Sequence, residues 1–223
     1  NLGVREPIKD GARVLSRYVD GIAARTYSHE TVQELARYAT VPVINALSDR
    51  AHPCQALADM LTIFERFGEE PQVRVAFIGD ANNVARSLAV ICAKLGVDFS
   101  IACPPKYCFD GPFLAVVEQI AAASGCRLNV CHSPAEAAEG AAVLYTDVWV
   151  SMGQEAESER RRKAFEGYCV DPELLSRAAE GAIVMHDMPA HRGEEITDEV
   201  IEGPQSAVFD QAENRLHAER ALL

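Results

Sequence analysis

From Val73 onward the chain alternates short apolar runs with segments of helical periodicity, and few folds accommodate that rhythm. The runs read VRVAFIG, FSIAC, RLNVC, AVLYT and GAIVM. Between the first two, Val84, Leu88, Ile91, Cys92 and Leu95 recur at helical spacing. PFLAVVEQIAAAS and a short stretch after Ser133-Pro134 supply the next helices. Strand and helix in this alternation predict an α/β fold whose parallel sheet is covered on both faces.

The residues before Val73 continue the pattern. IKDGARVLSRY reads as a helix, GIAAR as a short strand, SHETVQELARYA as a helix opening on a Ser28 cap, and VPVINAL as a strand. A long helix then starts at Pro53, with Leu57, Met60, Leu61, Phe64 and Phe67 at helical spacing and FGEEP as its stop. It is a candidate link between two domains. The chain opens on Asn1, in a stretch that reads like the middle of a domain, and is expected to be a fragment or a processed piece.

With 223 residues, 48% of them hydrophobic, the chain can bury a full core as one large or two small domains. A formal net charge of -12 argues against nucleic acid or an anionic membrane as partner, so an anionic substrate would need local cations. No apolar run approaches the ~20 residues that span a bilayer, and no charged-then-apolar leader is present, so a soluble protein is expected. The seven cysteines, Cys54, Cys92, Cys103, Cys108, Cys126, Cys131 and Cys169, form no CxxC pair. Reduced thiols in a cytoplasmic protein are the expectation.

In open parallel sheets ligands sit beyond the carboxyl ends of the strands. The loops there read DANN, DVWVSMGQE and HDMPAHRGEE, all rich in polar groups, and they should converge on one rim. IGDANNV lacks the spaced glycines of a dinucleotide loop, so a nicotinamide cofactor is not expected. Its Asn82 and Asn83 read either as helix caps or as amides for a carboxylate. Asp147, followed by Ser151, Met152 and Gly153, could hold the ammonium and carboxylate of an α-amino acid, or form a solvated turn anchored by Trp149. In SDRAHPCQALAD, Pro53 sets the helix start, so His52 and Gln55 can project near a helix end that favours an oxyanion or a polarised carbonyl. Capping alone is the other reading. EAESERRRKAF mixes signs and reads as a solvated helix face. Arg215, in the terminal FDQAENRLHAERALL, is an ordinary surface residue unless that helix folds back.

Taken together, HPCQ, DVWVSMGQE, HDMPAHRGEE and FDQAENR, in this order, closely resemble the ornithine carbamoyltransferase family along the whole chain. The resemblance implies two domains with parallel sheets flanked by helices, the second Rossmann-like and the first incomplete here. Residues 1–52 would be the remainder of a carbamoyl-phosphate-binding domain, 53–70 the interdomain helix, 71–205 the ornithine-binding domain, and 206–223 a segment returning to the first domain. It also implies carbamoyl transfer to the δ-amine of L-ornithine in arginine biosynthesis, a cytoplasmic homotrimer, and no metal or organic cofactor. Arg25, His52, Gln55 and Arg215 then fall on carbamoyl phosphate. Asn83, Asp147, Ser151 and Met152 fall on ornithine's α-amino acid end, with Asp147 on the ammonium, and Asp187 and Met188 on its side-chain end. Asp187, His52 and Arg25 would be the catalytic set.

Two features depart from the family pattern. Its S-x-R-T phosphate loop would lie upstream of Asn1, and its usual H-C-L-P reads His186-Asp187-Met188-Pro189. A carboxylate at 187 can orient the δ-ammonium and assist proton removal, although it also stabilises the charged amine and so opposes forming the nucleophile. A strand-end aspartate capping loop N–H groups is the structural alternative. Three other functions stay open: carbamoylation of putrescine or an acylated ornithine, a non-catalytic ligand-binding relative, and a zinc protein using His186, Asp187 and His191.

Overall fold

A computed structural model describes residues 6–69, 72–151 and 155–223. The chain runs α1 (Ile8–Leu15), β1 (Ile22–Arg25), α2 (His29–Tyr38), β2 (Val43–Leu47) and α3 (Pro53–Phe67), then β3 (Arg74–Ile78), α4 (Asn83–Leu95) and β4 (Asp98–Ala102). It continues with α5 (Gly111–Ser124), β5 (Leu128–Cys131), α6 (Pro134–Ala138), β6 (Val143–Thr146), α7 (Ser158–Ala164), α8 (Pro172–Leu175), β7 (Ile183–His186), α9 (Asp198–Ile201) and α10 (Val208–Leu222). None of the described helices is long and apolar enough to cross a membrane.

β1 and β2 pair in parallel as a two-stranded sheet, and the other five strands form a second sheet in the order β5-β4-β3-β6-β7. Every pairing in the larger sheet is parallel. The order reverses between β3 and β6, the crevice that a doubly wound sheet offers to ligands. The apolar runs follow from burial on both faces. Val75, Phe77, Tyr145 and Met185 join the core beneath α3, α4 and α5, while Ala76, Ile78, Leu144 and Val184 join a second core with Trp149, Phe165 and Ile196.

Helix starts follow the local chemistry. The Ser28 side chain accepts from the Glu30 N–H, and Asn82 Oδ1 accepts from the N–H groups of Val84 and Ala85. Asn82 is therefore the cap of α4, and Asn83 its first residue. Gly79 ends β3 at φ 143°, a backbone region that side chains disfavour, so the turn into the crevice requires glycine.

Three expectations need correction. On α3, Leu57 is 38% exposed, while Asp59 and Thr62 are fully buried. The inward stripe is partly polar because α10 packs on it: Asn214 Nδ2 donates to Thr62 Oγ1 at 2.9 Å and to Glu65 Oε2 at 2.7 Å. On α7, Arg161 is buried and paired with Asp80, so that helix is not a wholly solvated face. Cys103 and Cys108 are joined as a disulfide, so the thiols are not all reduced; Cys54, Cys92, Cys126, Cys131 and Cys169 are free.

Candidate active site

A cleft of about 850 Å³ opens where the strand order of the larger sheet reverses. Residues 80–84 beyond β3, and Asp147, Val148, Val150 and Ser151 beyond β6, line one side. Arg25 at the end of β1, with Thr26 and Tyr27 beyond it, lines the opposite side together with Leu47, Ser48 and Asp49 from the end of β2. Asp187, Met188 and Pro189 project into it from the end of β7. The two sheets are tied at this point, because Asn83 Nδ2 donates to the Ser48 carbonyl at 2.9 Å.

Asp147 is held rather than solvated. Asn82 Nδ2 donates to its Oδ2 at 2.7 Å, and the Val148 N–H to its Oδ1 at 2.8 Å. Burial raises the pKa of the carboxyl above the usual carboxylate value, against those hydrogen bonds. The side chain thus presents a fixed acidic group to the cleft.

Beside it, residues far apart in sequence converge. Arg215, on α10, donates through Nη1 to Gln55 Oε1 at 2.6 Å, and the same Nη1 lies 3.5 Å from His52 Nε2. Asp187 Oδ1 is 4.0 Å from His52 Nε2 and 4.0 Å from Arg215 Nη1. His52 caps α3 without a side-chain cap bond, and its backbone N–H donates to Ser87 Oγ on α4 at 2.7 Å, so the ring is held at the edge of both helices. Burial and the charges of Arg215 and Arg25 push the imidazole down to about 3, leaving it neutral. Burial, reinforced by Asp147 and Asp59 and opposed by Arg215 and Arg25, pushes the Asp187 carboxyl up to about 8.

The loop that carries Asp187 is fixed by its histidine. The Met188 N–H donates to His186 Nδ1 at 2.8 Å, so Nε2 carries the ring proton toward Glu195 Oε1 at 3.1 Å. Met188 has φ 58°, and this bond helps to hold it there. With both ring nitrogens engaged, His186 has no lone pair for a metal, which removes the basis for the His186, Asp187 and His191 zinc reading. Among the described residues, the group that could surround a metal ion is instead His191, Glu194 and Glu195.

Two family models match the chain. One describes the aspartate/ornithine carbamoyltransferase Asp/Orn binding domain and covers residues 71–223; the other describes the carbamoyl-P binding domain and covers residues 1–65. An ornithine carbamoyltransferase of Acidothermus cellulolyticus is 58% identical over 222 residues, spanning 100% of this chain and 71% of that protein. The chain belongs to the aspartate/ornithine carbamoyltransferase family. An anabolic ornithine carbamoyltransferase of Pyrococcus furiosus is 55% identical over 218 residues, 98% of this chain and 69% of that one. The solved ornithine carbamoyltransferase structure from Pyrococcus furiosus superposes with a TM-score of 0.96 at 54% identity, covering 100% of this chain and 71% of that one.

In this carbamoyltransferase Arg25, Asn83, Asp147, Ser151, Asp187 and Met188 line one cleft. His52, Gln55 and Arg215 form a cluster in contact with one another just behind Asp187. Met152 lies outside the described residues. Sequence reasoning missed Arg161, which reaches the cleft over the Tyr107 ring with its guanidinium carbon 4.7 Å from the centroid, and pairs there with Asp80. It also missed Asp59 and Gln211. The signal for Asp59 was an acid one turn after Gln55, among the apolar residues of α3.

Proposed function

We propose that the protein transfers the carbamoyl group of carbamoyl phosphate to the δ-amine of L-ornithine, releasing L-citrulline and phosphate. The observation that carries this reading is the meeting of Arg215 from α10 with His52 and Gln55 at the start of α3, directly behind Asp187, which lines the cleft together with Asp147. One end of the site offers guanidinium forks for phosphate oxygens, and the other offers carboxyl groups for amines. Arg25 and Arg215 would take the phosphate, while His52 and Gln55 hold the carbamoyl group. Asp147 would hold the α-ammonium, with Asn83, Ser151 and Met152 near the α-carboxylate and Met188 beside the δ-end.

In the reaction the δ-amine, as free base, attacks the carbonyl carbon and forms the new C–N bond. Negative charge grows on the carbonyl oxygen, where fixed donors stabilise it. The bond to phosphate then breaks, and the amine nitrogen gives its proton to the departing phosphate. Asp187 orients the δ-amine. Its raised pKa keeps the carboxyl protonated at neutral pH, so it holds the amine by hydrogen bonding without favouring the charged ammonium, and does not itself take the proton.

The reading extends, by family resemblance, to arginine biosynthesis, a cytoplasmic homotrimer and no metal or organic cofactor. It assigns residues 1–52 to the carbamoyl phosphate side, 53–70 to the connecting helix, 71–205 to the ornithine side and 206–223 to the return. Steady-state citrulline formation by the full-length protein, with N-acetylornithine and putrescine as competing amines, tests it. Ornithine is expected to dominate in kcat/KM. Preference for either other amine would transfer the reading to that substrate, and no product with any amine would leave a ligand-binding relative.

A further inference from the structure

Asp59 sits one turn beyond Gln55 on α3, fully buried, and does not line the cleft. A carboxyl at such a place is costly, and nothing in the reaction just described touches it. Its Oδ1 nevertheless collects three donors: Gln55 Nε2 at 2.9 Å, Gln211 Nε2 at 2.6 Å and the Tyr145 hydroxyl at 3.3 Å. Oδ2 has no partner. Burial pushes this carboxyl up to about 7, and Oδ1 keeps its acceptor lone pairs with a proton on Oδ2.

The consequence lies at the far ends of the two amides. A glutamine side chain is nearly symmetric in shape and opposite in chemistry, donor at one end and acceptor at the other. With both NH2 groups tied to Asp59, both carbonyl oxygens point away from it. Gln55 Oε1 meets Arg215 Nη1, and Gln211 Oε1 accepts the peptide N–H of His186 at 2.8 Å. His186 immediately precedes Asp187. Flipping either amide would set donor against donor.

We propose that Asp59 is a positioning residue, whose Oδ1 fixes the orientation of two amides so that Gln55 presents its carbonyl oxygen to the carbamoyl N–H2 and Gln211 anchors the strand end that carries Asp187. The Gln55 half rests on the carbamoyl-transfer reading. One buried oxygen thereby couples the α3 side of the site to the β7 side, through α10.

The test is a double-mutant cycle in the full-length protein, read as carbamoyl phosphate affinity by calorimetry. Asp59→Leu, near in size and without an acceptor, should weaken binding roughly tenfold alone and less than about twofold when Gln55 is already alanine, the non-additivity expected of residues acting as one unit. Asp59→Asn, which keeps an acceptor oxygen, should retain most of the affinity. If Asp59→Leu does not fold, Asp59→Ala takes its place in the cycle. Additive losses, or wild-type affinity in folded Asp59→Leu, would overturn the assignment. Citrulline formation by the unmutated protein is measured in parallel. Coupling without citrulline overturns only the transfer reading; citrulline with additive losses overturns only the role of Asp59. Absence of carbamoyl phosphate binding removes both.

Discussion

Asp187 Oδ1 lies 4.0 Å from His52 Nε2, and at neutral pH the two are not an ion pair. Burial and the neighbouring arginines hold the imidazole neutral, at about 3, while burial and the nearby acids keep Asp187 protonated up to about 8. The contact sets a neutral ring against a neutral acid. The fixed charge beside them is that of Arg215, whose Nη1 lies 4.0 Å from the same Asp187 oxygen while its Nε and Nη2 donate to Glu219 at 3.1 and 2.8 Å.

This arrangement decides how Asp187→Asn should behave in the full-length protein. If the side chain orients the δ-amine, the ornithine KM rises while kcat changes little. If it is an obligatory base, kcat falls by roughly 10²–10⁴-fold with little change in KM, the usual range for general acid–base catalysis. The first outcome is expected, and Asp187→Cys, which restores the family's usual residue, should retain substantial activity. A collapse of kcat at unaltered KM in steady-state assays would show the orienting role to be wrong.

Asp147→Asn should weaken ornithine far more than carbamoyl phosphate. It removes a charge-assisted bond to the α-ammonium, a loss of ~1.5–3 kcal/mol, or about ten- to hundredfold in affinity. Both Asp147 oxygens accept, from Asn82 Nδ2 and from the Val148 N–H, so the amide also sets one donor against another and a lower Tm is expected alongside the change in affinity. Equal losses for the two ligands in calorimetry would exclude Asp147 from the ornithine end.

Stability should fall as pH rises from about 6.5 to about 8. Asp187 and Asp59, at about 8 and about 7, bind more protons folded than unfolded once pH exceeds the ordinary 3.8, as does Asp80 at about 6; deprotonation then favours the unfolded chain. His52 works the other way at lower pH: its folded value of about 3 against 6.5 makes stability rise between those limits. The decline is therefore clearest above 6.5, and Asp187→Asn should flatten its upper part. Thermal melts across this range check both statements, and a Tm that is level or rising from pH 6.5 to 8 in the unmutated protein contradicts them.

Asp80→Asn should cost about 3–5 kcal/mol, the range for leaving one member of a buried ion pair alone, because Arg161 keeps its charge at 5% side-chain exposure. Replacing both residues, as Asp80→Asn with Arg161→Met, should recover much of the loss. Chemical denaturation of the single and double variants measures this, and a single variant as stable as the wild type would mean that the pair contributes nothing.

The alternation of apolar runs and helices was sufficient to predict a parallel α/β sheet, because burial on both faces leaves no polar alternation along a strand. Pro53 and Ser28 marked helix starts for equally local reasons. Individual cleft residues were legible where they sat at strand ends, as Asp147 and Asp187 do. What the sequence could not supply is any relation across the chain. That Arg215 meets Gln55 depends on α10 lying along α3, and that Asp59 faces inward depends on Gln211 and Tyr145 arriving to satisfy it. Arg161 reads as one of several charges on a mixed-sign helix until Asp80 and Tyr107 stand beside it. The protonation states of His52 and Asp187 belong to the same class: each side chain alone titrates ordinarily, and desolvation with neighbouring charges, present only once the chain has packed, moves the first down and the second up.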